Sequence, residues 1–483
     1  MNNAGYLLPS VFWSGWLILS LLSGRVFAQQ PAPEEEVLEI LRQDASYTPL
    51  SASLFERLGW DLPDGGAAIK RLAEAAPGGA VDPRDLEGLA EETVGYRAKW
   101  HELRYVYYGL EWDITGLYLE PAHRTPGLPT LVLIHGGSSS WYSFFYTPLN
   151  EPAIAPYLAQ RIPVLLVTIP GNYKPGGWQE PIEERRPAYL LDRSFGEEEG
   201  RLRNAVFTFS LIGEGVAQLI EKATGGPVLI LGHSTGGEIQ FLLKDRLRSR
   251  LNGLSIGWGT GGPAALRRVW VDEAAAAHNR NEAPVLKESI TEVRARGIED
   301  YMQGYMGPMN PLLETKTDNI YAWYFRVISE PDLLEKLARK YFQAEFHRKP
   351  FFKQIIQDVE HRGLTEARSE MEKAIREAVA ITRLPVNPDE VIADLFSTVR
   401  VDLDGYRRMI WTTAVLDEGH WDSDPEKARE RYVADRFRAR NPDASIRVLV
   451  YETLLTHLGH LEKPRQMAGA LLTAIKWLYE NRD

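Results

Sequence analysis

The 483-residue chain contains no cysteine. Disulfides, thiol nucleophiles and cysteine-bound metals are thereby excluded. No His-Glu-x-x-His pattern offers zinc an alternative, so neither a metal nor another cofactor is expected. Basic residues are in the minority, 55 Lys and Arg against 66 Asp and Glu, which leaves a formal charge of −11. Nucleic acid is therefore not an expected partner, because phosphate recognition needs clustered cations. Beyond the N-terminus, no apolar run is long enough to read as a membrane span. What is present is ordinary globular material, 44% hydrophobic and 25% charged. That supports a large core, and the length predicts one large domain with insertions, or two domains.

The first residues read as an export signal. Val11 to Leu22 form an apolar run too short to span a bilayer comfortably, and Val26-Phe27-Ala28 place small residues before Gln29-Gln30-Pro31. Residues 1–28 are accordingly expected to be a signal peptide cut after Ala28, and the mature protein to be secreted or periplasmic. The segment preceding the run has no Lys or Arg, which keeps an uncleaved N-terminal membrane anchor as the alternative. Residues 29–100 read as a linker and a helical extension: Val37-Leu38-Ile40-Leu41 and Ile69-Leu72-Ala73 each put an apolar stripe on one helix face.

After residue 100 the pattern changes to strands. Leu103 to Tyr108 and Trp112 to Leu119 suit an antiparallel hairpin around a short glycine-containing turn. Thr130 to Ile134, Pro163 to Thr168, Pro227 to Leu231 and Leu254 to Trp258 are continuous apolar runs of the kind buried on both faces of a sheet. Helical patterns over about 202–223 and 238–250 separate the later ones, which predicts a mostly parallel sheet flanked by helices. Residues 263–400 interrupt this alternation with charged, aromatic-rich, helical sequence that reads as a cap. Strands then return at Met409 to Ala414 and Ile446 to Tyr451, and a last helix starts at Pro464, where the missing N–H costs least.

Three turns carry candidate chemistry. The strand ending at Leu231 runs into Gly232-His233-Ser234-Thr235-Gly236, a Gly-x-Ser-x-Gly pattern that opens a helix. Such a turn exposes the serine hydroxyl and lets its glycines pass close to neighbouring backbone. His135-Gly136-Gly137-Ser138 is a second glycine-rich turn, followed by the aromatic run Trp141 to Tyr146, which is expected to supply core and at least one ring toward a pocket. The third follows the last strand, Thr456-His457-Leu458-Gly459-His460-Leu461-Glu462-Lys463-Pro464. A serine hydroxyl needs a base within reach, and loops leaving the carboxyl edge of one parallel sheet lie near each other.

With these elements the chain resembles the α/β-hydrolase-fold serine hydrolases, esterases and lipases among them, over about residues 103–262 and 405–483. The resemblance implies an α/β core over 101–262 and 401–483, with the helical cap 263–400 inserted between the sixth and seventh strands. It implies the chain order nucleophile, acid, histidine. Ser234 is then the nucleophile. His457, a few residues before Leu-Glu-Lys-Pro, is the base and His460 its neighbour; Thr456 stands where the family usually has glycine, so His460 stays open as the base. Asp417 matches the acid position, Asp422 is second, and Glu418 and Asp424 follow. Thr235 and Gly137 would donate backbone N–H groups to the oxyanion, Ser138 being the alternative to Gly137. The activity implied is cleavage of a carboxylic ester, from a small-molecule or lipid-like substrate, through an acyl-enzyme. Amide or peptide hydrolysis by the same triad is the alternative, ahead of a non-catalytic binding protein on this fold. Dehalogenase or epoxide-hydrolase chemistry is disfavoured, since related enzymes carry a carboxylate where this chain has Ser234.

Overall fold

The structure is a computed structural model. It describes residues 31–43, 45, 47–63, 66–76, 81–136, 140–147, 149–172, 188–233, 236–243, 246–258, 363–397, 406–416, 442–456 and 459–480. The expected signal peptide, 1–28, lies outside these residues, as does most of the expected cap.

Among the described residues, nine strands build one sheet. β1 (Tyr47–Ser51) belongs to the N-terminal region; β2 (Tyr96–Tyr107) and β3 (Leu110–Pro121) are the hairpin; β4 (Thr130–Ile134), β5 (Val164–Thr168), β6 (Val228–His233), β7 (Leu254–Trp258), β8 (Arg408–Leu416) and β9 (Ser445–Thr456) follow. Their order across the sheet is β1-β9-β8-β7-β6-β4-β5-β3-β2. β2 pairs antiparallel with β3 and β3 antiparallel with β5; every other neighbouring pair is parallel. The hairpin turns at Tyr108-Gly109, both with positive φ (51° and 72°), a geometry whose twist matches that of the flanking strands.

The apolar runs behave as doubly covered strands should. Every residue of β4, β5 and β6 is buried, and alternate side chains enter opposite layers. Leu131 and Leu133 of β4 lie in the core layer that also holds the apolar residues of the N-terminal region and of α9 (Pro464–Tyr479). Val132 and Ile134 pack in the other layer, with Leu202 of α3 (Glu197–Ala205), Leu211 and Val216 of α4 (Phe209–Ala223) and Ile239 of α5 (Gly236–Leu242). The one helix expected over 202–223 is thus two, because Thr208 interrupts it and accepts the Leu211 N–H as an N-cap.

The region before residue 100 is not only helical. α1 (Pro33–Arg42) buries Val37, Leu38 and Leu41 as its stripe predicts, but Tyr47–Ser51 is a strand, paired in parallel with β9 from Tyr47↔Val448 to Ser51↔Glu452. Five residues around Pro49 are too few to show a period, so only the partner strand reveals them. Ion pairs tie the region down: Glu35 with Lys476 at 3.1 Å and Glu480 with Arg42 at 3.2 Å. At the opposite end of the sheet, the last part of the expected cap forms α6 (Gly363–Thr382) and α7 (Pro388–Ser397). Ile375, Val391 and Ile392 enter the second core layer. The hydroxyls of Tyr107 and Tyr108 donate to Asp394 at 2.8 and 2.6 Å, and a side chain on Gly109 would lie 2.6 Å from the Pro385 carbonyl oxygen.

Candidate active site

The nucleophile candidate sits in a two-residue gap between described elements: β6 ends at His233 and α5 begins at Gly236. Ser234 and Thr235 themselves lie outside the described residues, as do Gly137, Ser138, Asp417, Glu418, Asp422, Asp424 and His457. The described chain leaves and returns at Gly136 and Ser140, at His233 and Gly236, at Leu416 and Pro442, and at Thr456 and Gly459.

The glycines around Ser234 have a clear steric reason. A Cβ on Gly232 would stand 2.2 Å from the Gly236 carbonyl oxygen and 2.4 Å from the Gly237 nitrogen. One on Gly236 would stand 2.2 Å from the Ile134 carbonyl oxygen and 2.8 Å from that of His135. Strand end, helix start and the end of β4 therefore meet backbone to backbone, and no side chain fits between them. Gln240 of α5, itself buried, accepts the Gly232 N–H at 3.1 Å and holds the two sides of the turn together.

The glycine-rich turn after β4 is held differently. His135 is fully buried; its Nε2 accepts the Ile169 N–H at 3.2 Å, which leaves Nδ1 to donate to the Gly136 carbonyl at 2.6 Å. Both bonds require the neutral ring, and burial pushes its pKa down to about 4. Further along, Thr168 at the end of β5 accepts the Trp141 N–H through its hydroxyl at 3.0 Å and pairs with the Ser140 hydroxyl at 3.0 Å. The segment on either side of 137–139 is thus fastened to the end of β5. Ser140, Thr168 and the anchoring role of His135 were not foreseen; a threonine closing an apolar strand was the available signal.

Strand register places the remaining segments at the same edge. Gly232 lies level with Ile134 and Gly257, and His233 level with Trp258, which faces Thr412. β8 continues to Leu416, four residues further, about 13 Å at the usual strand rise. Leu416 pairs with Thr456, although two positions earlier Ala414 pairs with Tyr451, so an irregularity adds residues to β9 just before the histidine segment. The expected acid and base segments thus begin at adjacent strand ends, raised above the serine turn.

One contact closes the distance. α8 (Gly459–Glu462) follows the histidine segment and buries His460. The His460 ring lies 4.4 Å, centroid to centroid, from that of His233, the residue before Ser234. Phe144, on the short helix α2 of this region (Tyr142–Phe145), lies 5.2 Å from His460 and 6.3 Å from His233. The aromatic run Trp141 to Tyr146 is otherwise core, with all five of its rings buried; Phe144 adds contacts with His233 and His460. A cavity of about 490 Å³ lies between the N-terminal region and the segment after α8. Of the charged side chains lining it, Lys463 pairs with Glu56 and Arg465 donates to the carbonyls of Gly59, Trp60 and Leu62.

The family that the sequence matches agrees with this architecture. The profile of the Alpha/beta hydrolase family matches residues 131–470, well over half of the chain. The chain belongs to that family, and is a hydrolase of the α/β fold. Among solved structures it is similar to a membrane phospholipase A described as a bacterial virulence factor (16% identity, 81% of this chain and 89% of that one, TM-score 0.35). It is similar also to a thermophilic esterase from Thermogutta terrifontis (13%, 79% and 99%, TM-score 0.36) and to 2-hydroxy-6-oxo-6-phenylhexa-2,4-dienoate hydrolase from Rhodococcus sp. strain RHA1 (15%, 78% and 99%, TM-score 0.33). No functionally curated protein matches the chain.

Proposed function

We propose that the protein is an exported serine hydrolase that cleaves carboxylic esters, with Ser234 as nucleophile, His457 as base and Asp417 as acid. The observation that carries this reading is the backbone crowding at Gly232 and Gly236, which leaves the two residues 234–235 as the whole connection between β6 and α5. A turn this tight at a helix start favours an exposed hydroxyl beside unpaired N–H groups.

The Ser234 hydroxyl oxygen attacks the ester carbonyl carbon while His457 takes its proton and Asp417 steadies the resulting imidazolium. The N–H groups of Thr235 and Gly137 receive the oxyanion, each worth about 3 kcal/mol of barrier when correctly aimed. His457 returns the proton to the departing alkoxide, leaving an acyl-enzyme. Water, activated by the same ring, then releases the acid and restores Ser234. The anchoring of His135 and Ser140, on either side of the proposed donor, supports this scheme, because donors positioned before reaction cost no reorganisation.

Labelling by a fluorophosphonate probe tests the nucleophile. Wild type should label and Ser234→Ala should not; labelling that persists in the variant removes the assignment. Asp417→Asn against Asp422→Asn identifies the acid by which one lowers kcat more. The large segment 263–400 supports long-acyl over short-acyl esters as substrates, and a clear short-chain preference on aryl esters would contradict that. Export is tested by fractionation and N-terminal sequencing, with a mature chain starting at Gln29 as the expected result and a retained, membrane-bound N-terminus as the contrary one.

A further inference from the structure

The contact between His233 and His460 is not required by the reaction scheme. Two imidazoles, both at least 95% buried, meet at 4.4 Å with their planes tilted by 58°. Aliphatic side chains would fill the same space without bringing polar nitrogens into the core. The two residues come from segments that diverge in sequence by more than two hundred positions, yet each stands beside a candidate reacting group: His233 directly precedes Ser234, and His460 follows His457 by three residues. Phe144 forms the third side. It too belongs to a fastened segment, its N–H bonded to the Trp141 carbonyl at 3.2 Å, and Trp141 is tied to Thr168. Three rings, one from the last residue of β6 and two from the segments that follow β4 and β9, therefore converge beside the start of the serine turn.

We infer that His460 is a positioning residue: its ring, seated on His233 and Phe144, sets the spacing between the serine turn and the histidine segment. The inference rests on the assignment of Ser234 and His457. Aromatic contacts of this kind favour a particular separation and tilt, and the pairing register shifts just before the histidine segment, so regular strand pairing does not by itself set where that segment starts. Because a displacement of about 1 Å between reacting groups costs on the order of 100-fold in rate, the pair acts through kcat.

The test uses the full-length protein with an aryl ester, reading kcat, KM, the rate of fluorophosphonate labelling and the thermal midpoint. His460→Ala is expected to lower kcat by about 100-fold, slow labelling comparably and leave KM within about twofold. His460→Phe, which keeps a ring, is expected to recover kcat to within about tenfold of wild type. The double variant His233→Ala/His460→Ala is expected to be no slower than the slower single variant, as for two residues acting through one contact. A folded His460→Ala with wild-type kcat overturns the inference. So does a folded His460→Phe that is as slow as His460→Gln, since the imidazole itself would then be needed; that pair decides the matter if the alanine variant fails to fold. Persisting labelling in Ser234→Ala removes instead the assignment beneath it, so the two failures are told apart.

Discussion

Two turns leave neighbouring strands at the same edge of the sheet, and they are held by opposite means. The turn after β6 is fixed by what its glycines lack: strand, helix and β4 touch through backbone, and any Cβ at Gly232 or Gly236 would enter another residue's carbonyl. The turn after β4 is fixed by what its side chains carry, with His135, Ser140 and Thr168 bonding backbone and each other. Backbone crowding tolerates no addition, whereas a polar network tolerates no subtraction. The first kind of constraint is indifferent to pH, and the second depends on the charge of one ring.

The sharpest way to break the contrast is to add a methyl group to the crowded turn. Gly236→Ala should destabilise the protein by roughly 3 kcal/mol or more, because the obstructing atoms are main chain and cannot rotate away. A lowered thermal midpoint together with lost probe labelling is the expected result, and near-wild-type values for both would show that the turn has slack.

A comparable effect should come from acid acting on the other turn. The native His135 ring stays neutral down to about pH 4, while in the unfolded chain it protonates near its ordinary value. The unfolded state therefore binds the extra proton, and the stability contributed by this residue is complete above pH 6.5 and lost as pH falls from 6.5 toward 4. The depressed pKa makes that loss about 3 kcal/mol at its fullest. Denaturant midpoints of wild type and His135→Asn should converge across this window; a constant difference between them would refute the assignment of the slope to His135.

A smaller loss is expected from Thr168→Val, which keeps the shape but leaves the Trp141 N–H without its hydroxyl partner. About 1–3 kcal/mol should disappear, measurable by chemical denaturation. The least effect belongs to Gly225→Ala, where no atom lies within 4 Å of the added carbon. A change within about 0.5 kcal/mol is expected there, which separates the general cost of replacing glycine from the specific cost at the serine turn.

The architecture was largely legible from the apolar runs. Buried strands announce themselves by unbroken hydrophobic sequence, and β4 to β7 lie where those runs fall. The Gly-x-Ser-x-Gly spacing likewise pointed to a turn whose glycines prove sterically obligatory. What stayed hidden was whatever depends on a distant partner. β1 could not be read because its five residues carry no period of their own. The contact of His460 with His233 was invisible since sequence gives no measure of how two loops approach. The break at Thr208 and the added residues in β9 are local departures that only pairing reveals.

The placement of β1 has a consequence for how the chain is made. Tyr47 pairs with Val448, so one margin of the sheet joins two strands about four hundred residues apart in the chain. During synthesis that margin has no template until β9 emerges, and contacts of such long sequence separation are slow to form. Any nascent chain or truncation product ending before residue 448 holds β1 with nothing to pair against. The pairing of β1 can therefore form only after β9 has been made, and truncation before residue 448 should leave this margin of the sheet without its partner.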